Sequence, residues 1–156
     1  MITKKLFFYF IIIISIVLNG CGFSPKYSGY KDINFTLNIN NTIGDRDLNN
    51  LIKTNLSRYK TKENNQEIIN ITINSKYKKI TTAKNTKGEA TEYDLQAEVT
   101  FGLSKSGITR SVKFEESFKI NKIEDTVEEN NYIRVVKRDF AKSISDKLIS
   151  NIQQNK

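Results

Sequence analysis

From residue 33 onward, apolar and polar positions alternate with two different periods, and the order of those periods sets out an architecture. Ile33, Phe35, Leu37 and Ile39 alternate with Asn34, Thr36 and Asn38, the period of a half-buried strand. Gly44-Asp45-Arg46-Asp47 then supplies a turn with N-cap candidates. Leu48, Leu51, Ile52, Asn55, Leu56 and Tyr59 recur at helical spacing, which predicts an amphipathic helix to about Lys60. Ile69, Ile71, Ile73 and Tyr77 restore period two, with Asn70, Thr72, Asn74, Lys76 and Lys78 between them. After a loop around Asn85-Thr86-Lys87-Gly88, Tyr93, Leu95, Ala97, Val99, Phe101 and Leu103 make the apolar side of a third strand. Lys105-Ser106-Gly107 reads as a tight turn. The returning strand sets Ile108, Val112, Phe114, Phe118 and Ile120 against Thr109, Ser111, Lys113, Glu115, Ser117 and Lys119.

Thr126-Val127-Glu128-Glu129 has the form of a capping box. Beyond it, Ile133, Val136, Phe140, Ile144, Leu148 and Ile152 run along one helical face. The predicted order is therefore β-α-β-β-β-α. Strict alternation leaves one sheet face apolar and one polar, and two apolar helix stripes need cover. The expected fold is α+β, a two-layer sandwich with two helices packed on one face of a four-stranded sheet.

The segment before residue 33 has a different character. Met1 to Lys5 carries two lysines, and Leu6 to Leu18 reads LFFYFIIIISIVL. An apolar run of that length is short for a membrane-spanning helix, which needs roughly 20 residues, and suits a secretory signal. It ends in Leu18-Asn19-Gly20-Cys21, which resembles the lipobox of bacterial lipoproteins, with Asn19 a less usual occupant than Ala or Ser. The small residue before the cysteine gives a peptidase access to the bond, and the thiol accepts a diacylglycerol. The sequence thus divides into a signal peptide at 1–20, a lipidated N-terminus and tether at 21–32, and a domain at 33–156. Cleavage would remove Lys4 and Lys5 and lower the formal charge by two from +8. More than one acyl chain (palmitate is typical) on Cys21 would hold the protein at a membrane, and Gly22 permits transfer to the outer membrane.

Composition then narrows the chemistry. The chain of 156 residues contains one cysteine and no histidine. That excludes Ser-His and Cys-His nucleophiles, His-liganded metals, internal disulfides and CxxC redox pairs. Glu115 and Glu116 fall on opposite sheet faces, and Glu124-Asp125 and Glu128-Glu129 surround a helix start, where negative charge suits the helix dipole. No Gly-rich phosphate loop or nucleophile elbow is present. Neither catalysis, a metal nor a cofactor is expected. The basic charge is interspersed with 17 acidic residues and has no aromatic stacking motif, which argues against a nucleic-acid partner.

Three stretches are similar to the LPS-assembly lipoprotein family, the LptE-type partners of the lipopolysaccharide translocon. They are Cys21-Gly22-Phe23-Ser24-Pro25-Lys26-Tyr27, the run Gly88-Glu89-Ala90-Thr91-Glu92-Tyr93-Asp94-Leu95 continued by Val99 to Leu103, and Phe114 to Phe118 followed by Glu124-Asp125 and the closing helix. The resemblance implies a lipid-anchored outer-membrane protein whose domain faces the periplasm. It also implies that the protein plugs an outer-membrane β-barrel, assists its assembly, and takes part in lipopolysaccharide transport with lipopolysaccharide as a ligand. Another envelope adaptor lipoprotein, such as a secretion pilotin, shares the anchor and a small α+β domain.

Lipid A phosphates call for accessible cations next to apolar contacts. The outer face of the second strand and its following loop are expected to carry Lys76, Lys78, Lys79, Lys84 and Lys87, and the neighbouring hairpin adds Arg110 and Lys113. Lys76, Lys78, Lys79, Arg110 and Lys113 are the candidate lipopolysaccharide-binding residues. Arg110 shares parity with Val112 and Phe114 and is also placed to cap the core edge. Two readings stay open for the cluster, a contact patch for lipopolysaccharide or a solvated lysine-rich surface.

Overall fold

A computed structural model of the chain describes residues 35–60 and 67–155. The signal-like segment, Cys21 and the tether lie outside the described residues. Strand β1 (Phe35–Gly44), helix α1 (Arg46–Leu56) with a 3-10 turn at Ser57–Tyr59, strands β2 (Glu67–Lys84), β3 (Ala90–Lys105) and β4 (Ile108–Asn121), and helix α2 (Thr126–Gln154) follow the predicted order. The strands form one four-stranded sheet in the order β1-β2-β3-β4. β1 and β2 are parallel, which requires a crossover, and α1 supplies it. β2, β3 and β4 are antiparallel neighbours.

The alternation decides which face is covered. Ile69, Ile71 and Ile73 of β2 and Leu95, Ala97, Val99, Phe101 and Leu103 of β3 are buried. Leu48, Ile52 and Leu56 of α1, and Val136, Phe140, Ile144, Leu148 and Ile152 of α2, lie over them. At roughly 25 cal/mol per Å² of apolar area removed from water, this layer is the main stabilising term. In β1 the register slips between Ile39 and Asn41. The extra residue reverses the parity, so Ile43 pairs with Asn74 on the polar face and is exposed.

The turns follow local chemistry. Ser106 and Gly107 both have positive φ, as a two-residue type I′ hairpin requires, and Lys105 pairs with Ile108. Asp45 caps α1, its Oδ1 accepting from the Leu48 N–H at 2.8 Å. The cap of α2 is Asp125, one residue before the predicted Thr126, and accepts from the Val127 and Glu128 N–H groups. Glu129 is thereby released to pair with Lys79. Aspartate outcompetes threonine here because an ionised oxygen accepts N–H donors more strongly and complements the helix dipole.

Candidate functional site

The five candidate cations do not form one patch. Lys76, Lys78 and Lys113 project from the polar sheet face, since Lys76 pairs with Glu98 on β3 and Glu98 pairs with Glu115 on β4. There the charges interlock. Glu98 lies 3.5 Å from Lys76 Nζ and 2.9 Å from Lys113 Nζ, and Lys113 also reaches Glu115 at 2.7 Å. The hydrogen bond from Lys113 holds the Glu98 carboxyl below its usual range, and Glu115 and Glu98 raise the Lys113 ammonium. Asp94 is lowered by hydrogen bonds from Ser117 and Gln96. Lys78 has no ion pair among the described residues. It lines a concavity of about 360 Å³ together with Lys76, Gln96, Glu98, Glu115 and Ser117. This face is a ladder of alternating charge, suited to a polar or charged surface of mixed sign.

Lys79 is not on that face, which corrects its grouping with Lys76 and Lys78. Its odd position turns it to the helix side, where Nζ contacts Glu129 at 2.7 Å and sits 3.8 Å above the Tyr93 ring. Strand parity carried that signal, because Lys79 shares the side of Ile73 and Tyr77. Lys79 joins the start of α2 to the sheet.

Arg110 also lies on the helix side, half-buried at the edge. It helps line a pocket of about 250 Å³ with Phe35, Ile69, Leu103, Ile152 and Lys105. Lys105 is paired with Glu67 at 2.8 Å, whereas Arg110 has no ion pair among the described residues. An unpaired guanidinium beside an apolar pocket matches an amphiphilic anion, with its charge at the rim and its chain within. Sequence reading missed this pocket because its lining comes from β1, β2, β3, β4 and α2, residues distant in the chain.

A second cluster is structural. Lys137 of α2, its side chain 14% exposed, lies 3.2 Å from Asp45 Oδ2 and 4.1 Å from the centre of the Tyr77 ring. Burial, then the Asp45 and Glu129 charges, push the Tyr77 phenol up to about 12. Glu116, on the helix side of β4, accepts from Ser143 and Lys147 at 2.6 and 2.7 Å. No group of three or more acidic or thiol side chains with metal-binding geometry occurs among the described residues. No described helix is long and apolar enough to cross a membrane.

Neither a family model nor a curated protein sequence matches this chain. Solved structures do match in fold. The rare lipoprotein B from Shewanella oneidensis superposes with a TM-score of 0.56 at 13% identity, over 74% of this chain and 96% of its own. A minor lipoprotein from Acinetobacter baumannii gives a TM-score of 0.52 at 16% identity, over 77% of this chain and 96% of its own. At such identities the likeness is one of fold: the two-helix, four-stranded sandwich of this chain is shared with small bacterial lipoproteins.

Proposed function

We propose that this chain is a lipid-anchored, non-enzymatic protein of the bacterial outer membrane. In this reading it plugs the lipopolysaccharide translocon barrel, assists barrel assembly and takes part in moving lipopolysaccharide to the outer leaflet. One observation carries it: a lipobox-like Cys21, the sole cysteine, precedes a domain whose fold occurs in bacterial lipoproteins. The family resemblance of the Gly88–Leu103 run supplies the finer role. The interlocked charges of the outer sheet face suit the mixed polar wall of a barrel lumen. The pocket beside Arg110 suits the phosphate and acyl chain of lipopolysaccharide better than the paired lysines do.

The test is affinity purification of the tagged full chain from membranes, followed by identification of what travels with it. Recovery of a large outer-membrane β-barrel protein is expected, and Cys21→Ala is expected to release the chain from the membrane fraction. Recovery of no barrel would overturn the transport role. Recovery of a secretion or export component in its place would point to an adaptor lipoprotein.

A further inference from the structure

The long helix reaches the fourth strand through Glu116 and buries Ile120 at its end, but it covers the rest of that strand less completely than the other three. On β3 the helix-facing row from Leu95 to Leu103 is at most 2% exposed. On β4 the corresponding residues Arg110, Val112, Phe114 and Glu116 are only half-buried, and Phe118 is 46% exposed. Among the described residues no strand lies beyond β4. The opposite edge, β1, is blunted by its bulge, whereas β4 keeps an unbroken register with β3 from Ile108 to Asn121. It is a long, regular edge whose helix-side row is half-buried at Val112 and Phe114 and exposed at Phe118.

We propose that β4 pairs with β4 of a second copy of this chain, antiparallel about a twofold axis at Phe114, joining two sheets into one. Hydrogen-bond parity permits this. The pair flanking the two-residue turn, Lys105 and Ile108, exchanges hydrogen bonds, so the even residues of β4 turn their N–H and C=O to β3 and the odd residues turn theirs outward. Any antiparallel twofold that pairs odd with odd residues is therefore bonded. Charge selects among them.

With Phe114 opposite Phe114, Lys113 lies opposite Glu115 of the second copy, and Glu115 opposite its Lys113. Ser111 then faces Ser117, Ile108 faces Ile120, and Arg110 faces the exposed Phe118 ring, a cation–π geometry. Val112 faces Glu116, whose carboxylate is already held by Ser143 and Lys147. Shifting the axis by one residue sets Lys113 against Lys113 in one direction and Glu115 against Glu115 in the other. Like charges directly opposite are destabilising, so those two neighbouring registers are disfavoured, and the Phe114 axis is the one that sets each Lys113 against a Glu115 of the other copy. The pairing does not depend on the transport role and describes the chain outside the barrel, since it engages the β4 edge and Arg110, which the barrel-bound form would leave to the barrel and to lipopolysaccharide.

Sedimentation equilibrium of the detergent-solubilised full chain tests the proposal, with a reversible dimer expected. Lys113→Glu and Glu115→Lys each create two like-charge pairs and are expected to raise the dimer dissociation constant about tenfold or more. Their combination restores opposite charges and is expected to return it to within about threefold of the parent. A monomer at every concentration, or charge reversal without rescue, would overturn the pairing. Cross-linking fixes the register independently of affinity. Ser111→Cys mixed with Ser117→Cys is expected to give a disulfide dimer that neither variant gives alone, since opposed Cα atoms lie about 5.5 Å apart. A dimer from either variant alone, or no product from the mixture, would overturn it. So would a Ser117→Cys variant that links in membranes to a different protein, an outcome that would assign the edge to that partner.

Discussion

Asp45 concentrates two structural tasks in one side chain, beside a third carried by its backbone, and replacing the side chain separates the two. Its Oδ1 caps α1 at the Leu48 N–H, and its carboxylate holds Lys137 of α2 at 3.2 Å. Its backbone N–H donates to the Ser75 carbonyl and its own carbonyl accepts from the Ser75 hydroxyl. Asp45→Ala removes the cap, worth about 1 kcal/mol, and leaves Lys137 with only Asp47 at 3.9 Å and the Tyr77 ring. The two side chains are 14% and 23% exposed, between the surface regime and the buried one. That places the lost pair at about 1–2 kcal/mol and the whole change at about 2–3 kcal/mol. Asp45→Asn keeps a good cap and removes the charge, so it should cost only the pair. Urea unfolding followed by far-UV circular dichroism measures both, and a double-mutant cycle with Lys137→Met isolates the pair. A cost below about 0.5 kcal/mol for Asp45→Ala, the range of an ordinary surface change, would refute the reasoning. Equal costs for the Ala and Asn variants would refute the cap.

Other outcomes follow from single sites. Gly44 has φ +100° and a Cβ there would strike the Ser75 carbonyl oxygen, while Gly88 has φ +83° with open space around it. Gly44→Ala is therefore expected to cost at least about 3 kcal/mol and Gly88→Ala about 1 kcal/mol in the same unfolding assay; equal costs would remove the steric argument. The Tyr77 phenol rises from 10.0 to about 12 on folding, so its neutral form contributes stability that is complete below pH 10 and lost as pH climbs towards 12. Absorbance titration of the phenols should show one tyrosine ionising near pH 12, and Tyr77→Phe should abolish that step; if the step persists in Tyr77→Phe, it belongs elsewhere. Glu98→Gln frees Lys76 and leaves Lys113 with Glu115 alone on an exposed face, so unfolding free energy should change by less than about 0.5 kcal/mol. Retention on lipopolysaccharide-coated beads should rise if these lysines contact the ligand, and unchanged retention would direct attention to the Arg110 pocket.

Local periodicity was enough to place the four strands and two helices of the described residues, because period two and period 3.6 each reflect one covered face. Parity also placed Lys76 and Lys113 on the polar side, and it should have separated Lys79 from them. The cap of α2 was one residue off because Asp125 and Thr126 are both competent caps, and the capping-box pattern pointed to Thr126 although aspartate is the stronger acceptor. Asn49, Ser75 and Ser145 are polar residues buried at points where elements meet, and nothing in their immediate sequence marks them.

What the chain determines by itself is therefore the local order: which residues alternate, where turns fall, and which face of each element is apolar. The expectation of lipidation at Cys21 is of the same local kind, since a lipobox-like motif is read along an extended chain. Tertiary structure alone decided that β1 runs parallel beside β2, that α1 and α2 meet through Asp45 and Lys137, and that β4 is an edge strand among the described residues. The physical reason is range. Hydrophobic periodicity records that a face is buried, whereas strand order, ion pairs and edges depend on which distant segments bury it.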